Sequence, residues 1–166
     1  ATDACCNFDG STIDDVGDLN RIIDEVIAAL PIDTSRIYLL GHSNGGFMSY
    51  RLACERGSRF AAVTVFAAAD YLDEAACVPA TPVSILHMHG DADEVIAYGG
   101  GSVVRPTGGT LPPYPSARTS VERWAGYAGC DPTPVAGPGR DLTIERDGHT
   151  EVLETEVLDF TACDPG

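Results

Sequence analysis

The sequence predicts an α/β fold built on a mostly parallel sheet with flanking helices, finished by a C-terminal β-hairpin. Two observations carry this. Three short apolar runs, at residues 37–40, 61–66 and 83–88, are bounded by turn residues and have the length of strands buried on both faces. Around them lie segments whose apolar residues recur at three- and four-residue steps, and strands alternating with helices at this spacing form parallel sheets. At 166 residues, with 44% hydrophobic and 21% charged residues, the chain has the size and composition of one globular domain spanning 1–166.

The first helix is expected over residues 12–30. Val16, Leu19, Ile22, Ile23, Val26, Ile27 and Leu30 form one apolar stripe, Asp14 and Asp15 suit the positive end of the helix dipole, and Pro31 stops it. A turn at 33–36 leads into the first strand. Gly41-His42-Ser43-Asn44-Gly45-Gly46 follows at once, then a helix over 47–56. Residues 70–81 read as a loop or short helix, and 98–115, rich in Gly and Pro, as an irregular surface excursion. A helix over 119–128 would place Val121, Trp124 and Tyr127 on one face. Residues 141–145 and 151–160 have strand character, with Asp147-Gly148 as the turn between them.

Ten basic residues against 25 acidic ones give a net charge of −15, which repels nucleic-acid phosphates and anionic lipid. Neither nucleic acid nor membrane is expected as a partner, and no apolar run reaches the roughly 20 residues of a membrane span. All ten basic residues are arginine, so lysine Schiff bases and P-loop lysines are excluded. Cys5, Cys6, Cys54, Cys77, Cys130 and Cys163 form no paired C-x-x-C units, which argues for disulfides in an oxidising compartment over a zinc site. Cys54–Cys77 and Cys130–Cys163 are the expected bridges, leaving adjacent Cys5 and Cys6, of which at least one is expected to want a partner outside these 166 residues. The alternative is that some are buried thiols. Secretion is the expectation.

The chemistry centres on Gly41-His42-Ser43-Asn44-Gly45, a G-x-S-x-G pattern between a strand and a helix. A sharp turn there lifts a serine hydroxyl to the sheet's C-terminal edge, at a helix N-terminus that favours developing negative charge. Glycines two residues to either side are expected to let strand and helix approach. Ser43 is then the nucleophile and the Asn44 N–H an oxyanion donor. A serine needs a base oriented by an acid. Asp91 and Asp93, in His89-Gly90-Asp91-Ala92-Asp93 just past the third strand, are the candidate acids.

These residues resemble a known group. Gly41 to Gly46 with Met48 and Tyr50-Arg51-Leu52-Ala53-Cys54-Glu55 is similar to the secreted polyhydroxybutyrate depolymerase and feruloyl esterase group of α/β-hydrolases. So are His87-x-His89-Gly90-x-Ala92-Asp93-x-Val95-Ile96-x-Tyr98, the opening Ala4-Cys5-Cys6 with Asp14-Asp15-Val16, and Ser120-Val121 to Trp124 with Gly129-Cys130. The resemblance runs from Cys5 to at least Cys130. It implies an α/β-hydrolase core, an acyl-enzyme on Ser43, Asp93 as the triad acid and no cofactor or metal. The substrate would be a polyhydroxyalkanoate, a feruloylated polysaccharide or a short-chain ester. Asp91 stands where the group has threonine.

The base is the difficulty. His42 adjoins the nucleophile and would line the pocket, while His87 and His89 precede the acid and suit structural packing. His149 alone follows Ser43 and Asp93 in chain order, but in a turn amid acidic sequence. In the group the catalytic histidine lies beyond a cysteine like Cys163. The resemblance therefore implies a partial domain, open at both ends, with its histidine downstream and little activity of its own. Two rivals stand beside this: a non-catalytic binding module using the elbow pocket, and a complete small cutinase-like esterase working through His149. Trp124, Tyr98 and the stretch around Tyr114 could offer a surface to polymer or an aromatic acid, though a lone helical tryptophan is more often core.

Overall fold

The computed structural model describes residues 13–105, 108–140 and 154–164. The first helix, α1 (Asp15–Ala29), starts where Asp14 accepts a hydrogen bond from the Gly17 N–H, so Asp14 caps the helix from outside its first turn. Three strands follow, β1 (Tyr38–His42), β2 (Ala62–Phe66) and β3 (Ser84–Met88). They form a parallel sheet in the order β1-β2-β3, with Tyr38, Ala62 and Ser84 aligned at one end and His42, Phe66 and Met88 at the other. Helix α2 (Asn44–Arg56) connects β1 to β2, and a loop with a single 3-10 turn at Glu74–Ala76 connects β2 to β3. Helix α3 (Ala117–Tyr127) comes later and packs its Trp124 ring against Tyr50 of α2.

Sequential parallel strands joined by right-handed crossovers place every connection on the same face of the sheet. That face holds the core. Val63 and Val65 point into it and are fully buried with Phe47, Tyr50, Leu52 and Ala53 of α2 and Trp124 of α3. The alternate residues point the other way, where Leu40 is 75% and Leu86 57% exposed beside exposed Tyr38, Phe66 and Met88. The three apolar runs are thus buried on one face, not two, because no described element covers the second. The stripe of α1 is likewise divided. Val16 is buried and Ile23 packs on the core, whereas Leu19, Ile22, Val26 and Leu30 are exposed.

Cys54 at the end of α2 is bridged to Cys77 beyond the 3-10 turn, and Cys130 after α3 to Cys163, the two expected disulfides. The excursion at 98–115 is more regular than its composition suggests. Antiparallel bridges join Gly101 to Tyr114 and Val104 to Thr110. In the tail, β4 (Val135–Ala136) pairs antiparallel with β5 (Leu158–Asp159), and Arg140 bridges Thr155. The first arm of the hairpin therefore begins before residue 141. Its turn, His149, and the pair Cys5 and Cys6 lie outside the described residues.

Candidate active site

Ser43 stands between β1 and α2 at φ 52°, ψ −123°, a left-handed backbone that side chains other than glycine rarely adopt. Its N–H donates to the Phe66 carbonyl (2.9 Å), extending the parallel ladder one step past the strand end, and its carbonyl accepts from the N–H groups of Gly46 and Phe47. A serine at a helix N-cap ordinarily turns its hydroxyl onto the first-turn amides. Asp14 and Ser116 do this with their side chains on α1 and α3. Ser43 makes no such capping bond. Its hydroxyl is thus not spent on the helix end, and Asn44 opens α2 with its N–H in the first turn, where the helix dipole is positive.

The glycines divide the packing differently from the expectation. A Cβ on Gly41 would collide with the Gly45 carbonyl and Ser49 Oγ, so that glycine is required for the close approach. A Cβ on Gly45 would meet nothing within 4 Å; the second tight position is Gly46, where it would come within 2.7 Å of Ala68 Cβ and 3.2 Å of the Gly41 and Phe66 carbonyls. The helix contacts the sheet through the side one residue further on.

Asp93 follows β3 at the same C-terminal edge as Ser43. Its Oδ1 accepts from the N–H groups of Val95 (2.8 Å) and Ile96 (2.9 Å), and its Oδ2 lies 3.9 Å from His89 Nε2. The Ile96 and then the Val95 N–H hold its carboxyl below the usual range, with His89 and His42 adding to the pull. The ends of β1 and β3 flank the end of β2 at this edge. Asp91 is exposed on the same loop.

His42 is exposed beside Ser43 and tilts over Phe66. His87 and His89 are bonded to one another instead of to Ser43: Tyr50 Oη is 2.8 Å from His87 Nδ1, His87 Nε2 is 3.1 Å from His89 Nδ1, and His89 Nε2 is 2.6 Å from the Ile96 carbonyl. Burial, with His89 adding, pushes the His87 imidazole down to about 4. The sequence offered no sign of Tyr50 as their partner, since it lies 37 residues before His87. Trp124 and Tyr114 are 3% and 4% exposed, so they are core and not a substrate surface; Tyr98 is half-buried against the edge of His89. Asp70, after β2, was also missed. It is buried, and burial raises its carboxyl to about 6 against the pull of the Tyr71 N–H, Arg123 and Trp124. Among the described residues no three His, Cys, Asp or Glu side chains gather as a metal site.

A strained serine between a parallel strand and a helix, with a carboxylate on a loop at the same sheet edge, defines an α/β-hydrolase elbow. Residues 9–108 match the phospholipase/carboxylesterase family of α/β-hydrolases, and the chain belongs to it. It is similar to "Putative esterase NocK" of Nocardia uniformis (32% identical over 140 residues, covering 78% of this chain and 41% of that one). "Feruloyl esterase B" of Piromyces equi is 32% identical over 144 residues, covering 84% of this chain and 26% of that one. "Feruloyl esterase D" of Neurospora crassa is 32% identical over 129 residues, covering 70% and 42%. The chain thus spans less than half the length of these relatives.

Proposed function

We propose that this chain is the central part of a secreted serine carboxylic-ester hydrolase of the polyhydroxybutyrate depolymerase and feruloyl esterase type. Ser43 Oγ attacks the ester carbonyl, and the oxyanion is held by the Asn44 N–H and the positive end of α2. Asp93 orients a histidine that lies outside the described residues. The alcohol leaves with the proton that the histidine took from Ser43, and water then releases the acid from the acyl-enzyme. The observation that carries this reading is Ser43 itself: a non-glycine residue at φ 52° on a strand-to-helix turn, with its hydroxyl not used as a cap. The similarity to feruloyl esterases supports an ester of an aromatic acid as substrate, and the sheet face that no described element covers supports a domain larger than residues 1–166.

Hydrolysis of p-nitrophenyl butyrate and methyl ferulate by this chain tests the reading, with Ser43→Ala and His149→Ala alongside. Weak hydrolysis lost in Ser43→Ala and indifferent to His149→Ala is expected. Loss in both variants would make His149 the base and the chain a complete small esterase. Ester binding with no Ser43-dependent turnover, in this chain and in the longer protein, would leave a binding module.

A further inference from the structure

We propose that Tyr50, His87 and His89 form a single directed hydrogen-bond chain that grips the Ile96 carbonyl and so fixes the loop bearing Asp93, making His89 a positioning residue for the acid. The direction follows from the last link. A carbonyl only accepts, so His89 Nε2 carries a proton and donates to Ile96. With His89 neutral, its Nδ1 must accept, which makes His87 Nε2 a donor. His87 Nδ1 then accepts from the Tyr50 hydroxyl. Every link has one donor and one acceptor, and no polar atom of the three side chains is left over. The reverse direction would require a doubly protonated His89, a cation whose side chain is 2% exposed and whose nearest carboxylate oxygen, on Asp93, is 3.9 Å away.

The chain is also rigid. The two imidazoles lie nearly parallel, at an interplanar angle of 11°, Tyr98 meets His89 edge-on, and Tyr50 is wholly buried against Trp124. Ile96 is held from both sides: His89 takes its carbonyl while Asp93 Oδ1 takes its N–H. Displacing the carbonyl would swing the N–H away from Asp93, and the carboxylate would lose one of the two donors that set its direction. The link to catalysis rests on the proposal that Asp93 is the triad acid; the hydrogen-bond chain itself does not.

Two measurements decide it. In the uniformly ¹⁵N-labelled chain at neutral pH, long-range proton–nitrogen correlation should show His87 and His89 both neutral and both protonated at Nε2. A proton on Nδ1 of either ring overturns the assignment, and needs no variant. In His89→Leu, exchange of the Ile96 amide should quicken by about tenfold or more, and the Asp93 carboxyl should titrate nearer its ordinary value. His89→Gln, which keeps an N–H at that reach, should restore the slow exchange and the part of the Asp93 shift that the Ile96 N–H supplies. Unchanged exchange and titration in His89→Leu overturn the proposal. If the protein shows Ser43-dependent hydrolysis, kcat should fall by about tenfold in His89→Leu with KM held, and recover in His89→Gln. An equal loss in both variants overturns the positioning role. Absence of Ser43-dependent hydrolysis in this chain and in the longer protein would overturn the esterase reading, while the tautomers and Ile96 exchange would still decide the hydrogen-bond chain.

Discussion

Ser43 bears a backbone conformation that only glycine adopts without cost, and that cost is separable from its chemistry. Ser43→Gly should therefore abolish ester hydrolysis while raising stability by roughly 1 kcal/mol, the lower end of the strain expected for a non-glycine residue there. Urea denaturation checks this; a destabilised variant would show that the turn is not strained. The neighbouring glycines supply a paired test. Gly46→Ala drives a methyl into Ala68 Cβ and should cost about 2 kcal/mol or more, as overpacking does. Gly45→Ala enters open space in the first turn of α2 and should be neutral or stabilising by about 0.5–1 kcal/mol. Equal costs at the two positions would contradict the packing. The elbow was legible in the sequence because its spacing is local: strand, Gly-x-Ser-x-Gly, helix. Which glycine makes the approach was not, because that depends on Ala68, supplied from beyond β2.

At the scale of elements, β3 and the segment after β2 each bury an ionisable group, and the two oppose each other in acid. His87 has its pKa lowered from 6.5 to about 4, so between those values the unfolded chain holds more protons and stability is lost as pH falls. Asp70 has its pKa raised from 3.8 to about 6, so in that window the folded chain holds more protons and stability is lost as pH rises. Asp70→Asn removes the second slope, which Tyr50 and Arg123 face. The variant should gain stability at pH 7, up to about 3 kcal/mol, and should then lose it more steeply than the parent below pH 6. Thermal melts across pH 4–8 read both effects; a variant less stable at pH 7 would show that Asp70 is ionised and satisfied. The disulfide between α2 and the turn before β3 closes a 23-residue separation, and Cys54→Ser with Cys77→Ser should cost about 3 kcal/mol in the same melts. The two pairings are those expected from the sequence, although spacing alone leaves the other pairings of six cysteines open. The Tyr50–His87–His89 chain was not legible, since alternation along β3 shows that His87 faces one way but not that a tyrosine 37 residues earlier meets it.

For the whole molecule, the question is what the sheet's second face does. A run of apolar residues looks alike in sequence whether one face is covered or two, which is why residues 37–40 read as doubly buried while Leu40 is 75% exposed. In the aligned rows Leu40↔Thr64↔Leu86 and His42↔Phe66↔Met88, the exposed Leu40, Leu86, Phe66 and Met88 present apolar surface on that face. The crossovers between these strands cannot cover it, because all of them lie on the other side. Exposed apolar area of this kind drives association, whereas a net charge of −15 keeps copies of the chain apart at low ionic strength. Salt screens the charge but strengthens apolar burial. The chain alone should therefore be mainly monomeric in dilute buffer and associate as salt is raised, the opposite of a charge-driven complex. Leu40→Asp with Leu86→Asp, at the two ends of one aligned row of that face, should hold it monomeric at every salt concentration without disturbing the core around Cys54–Cys77 on the other face. Sedimentation velocity at low and high salt makes the comparison. A parent chain that stays monomeric throughout, or a double variant that associates as readily, would show that this face is not the adhesive one.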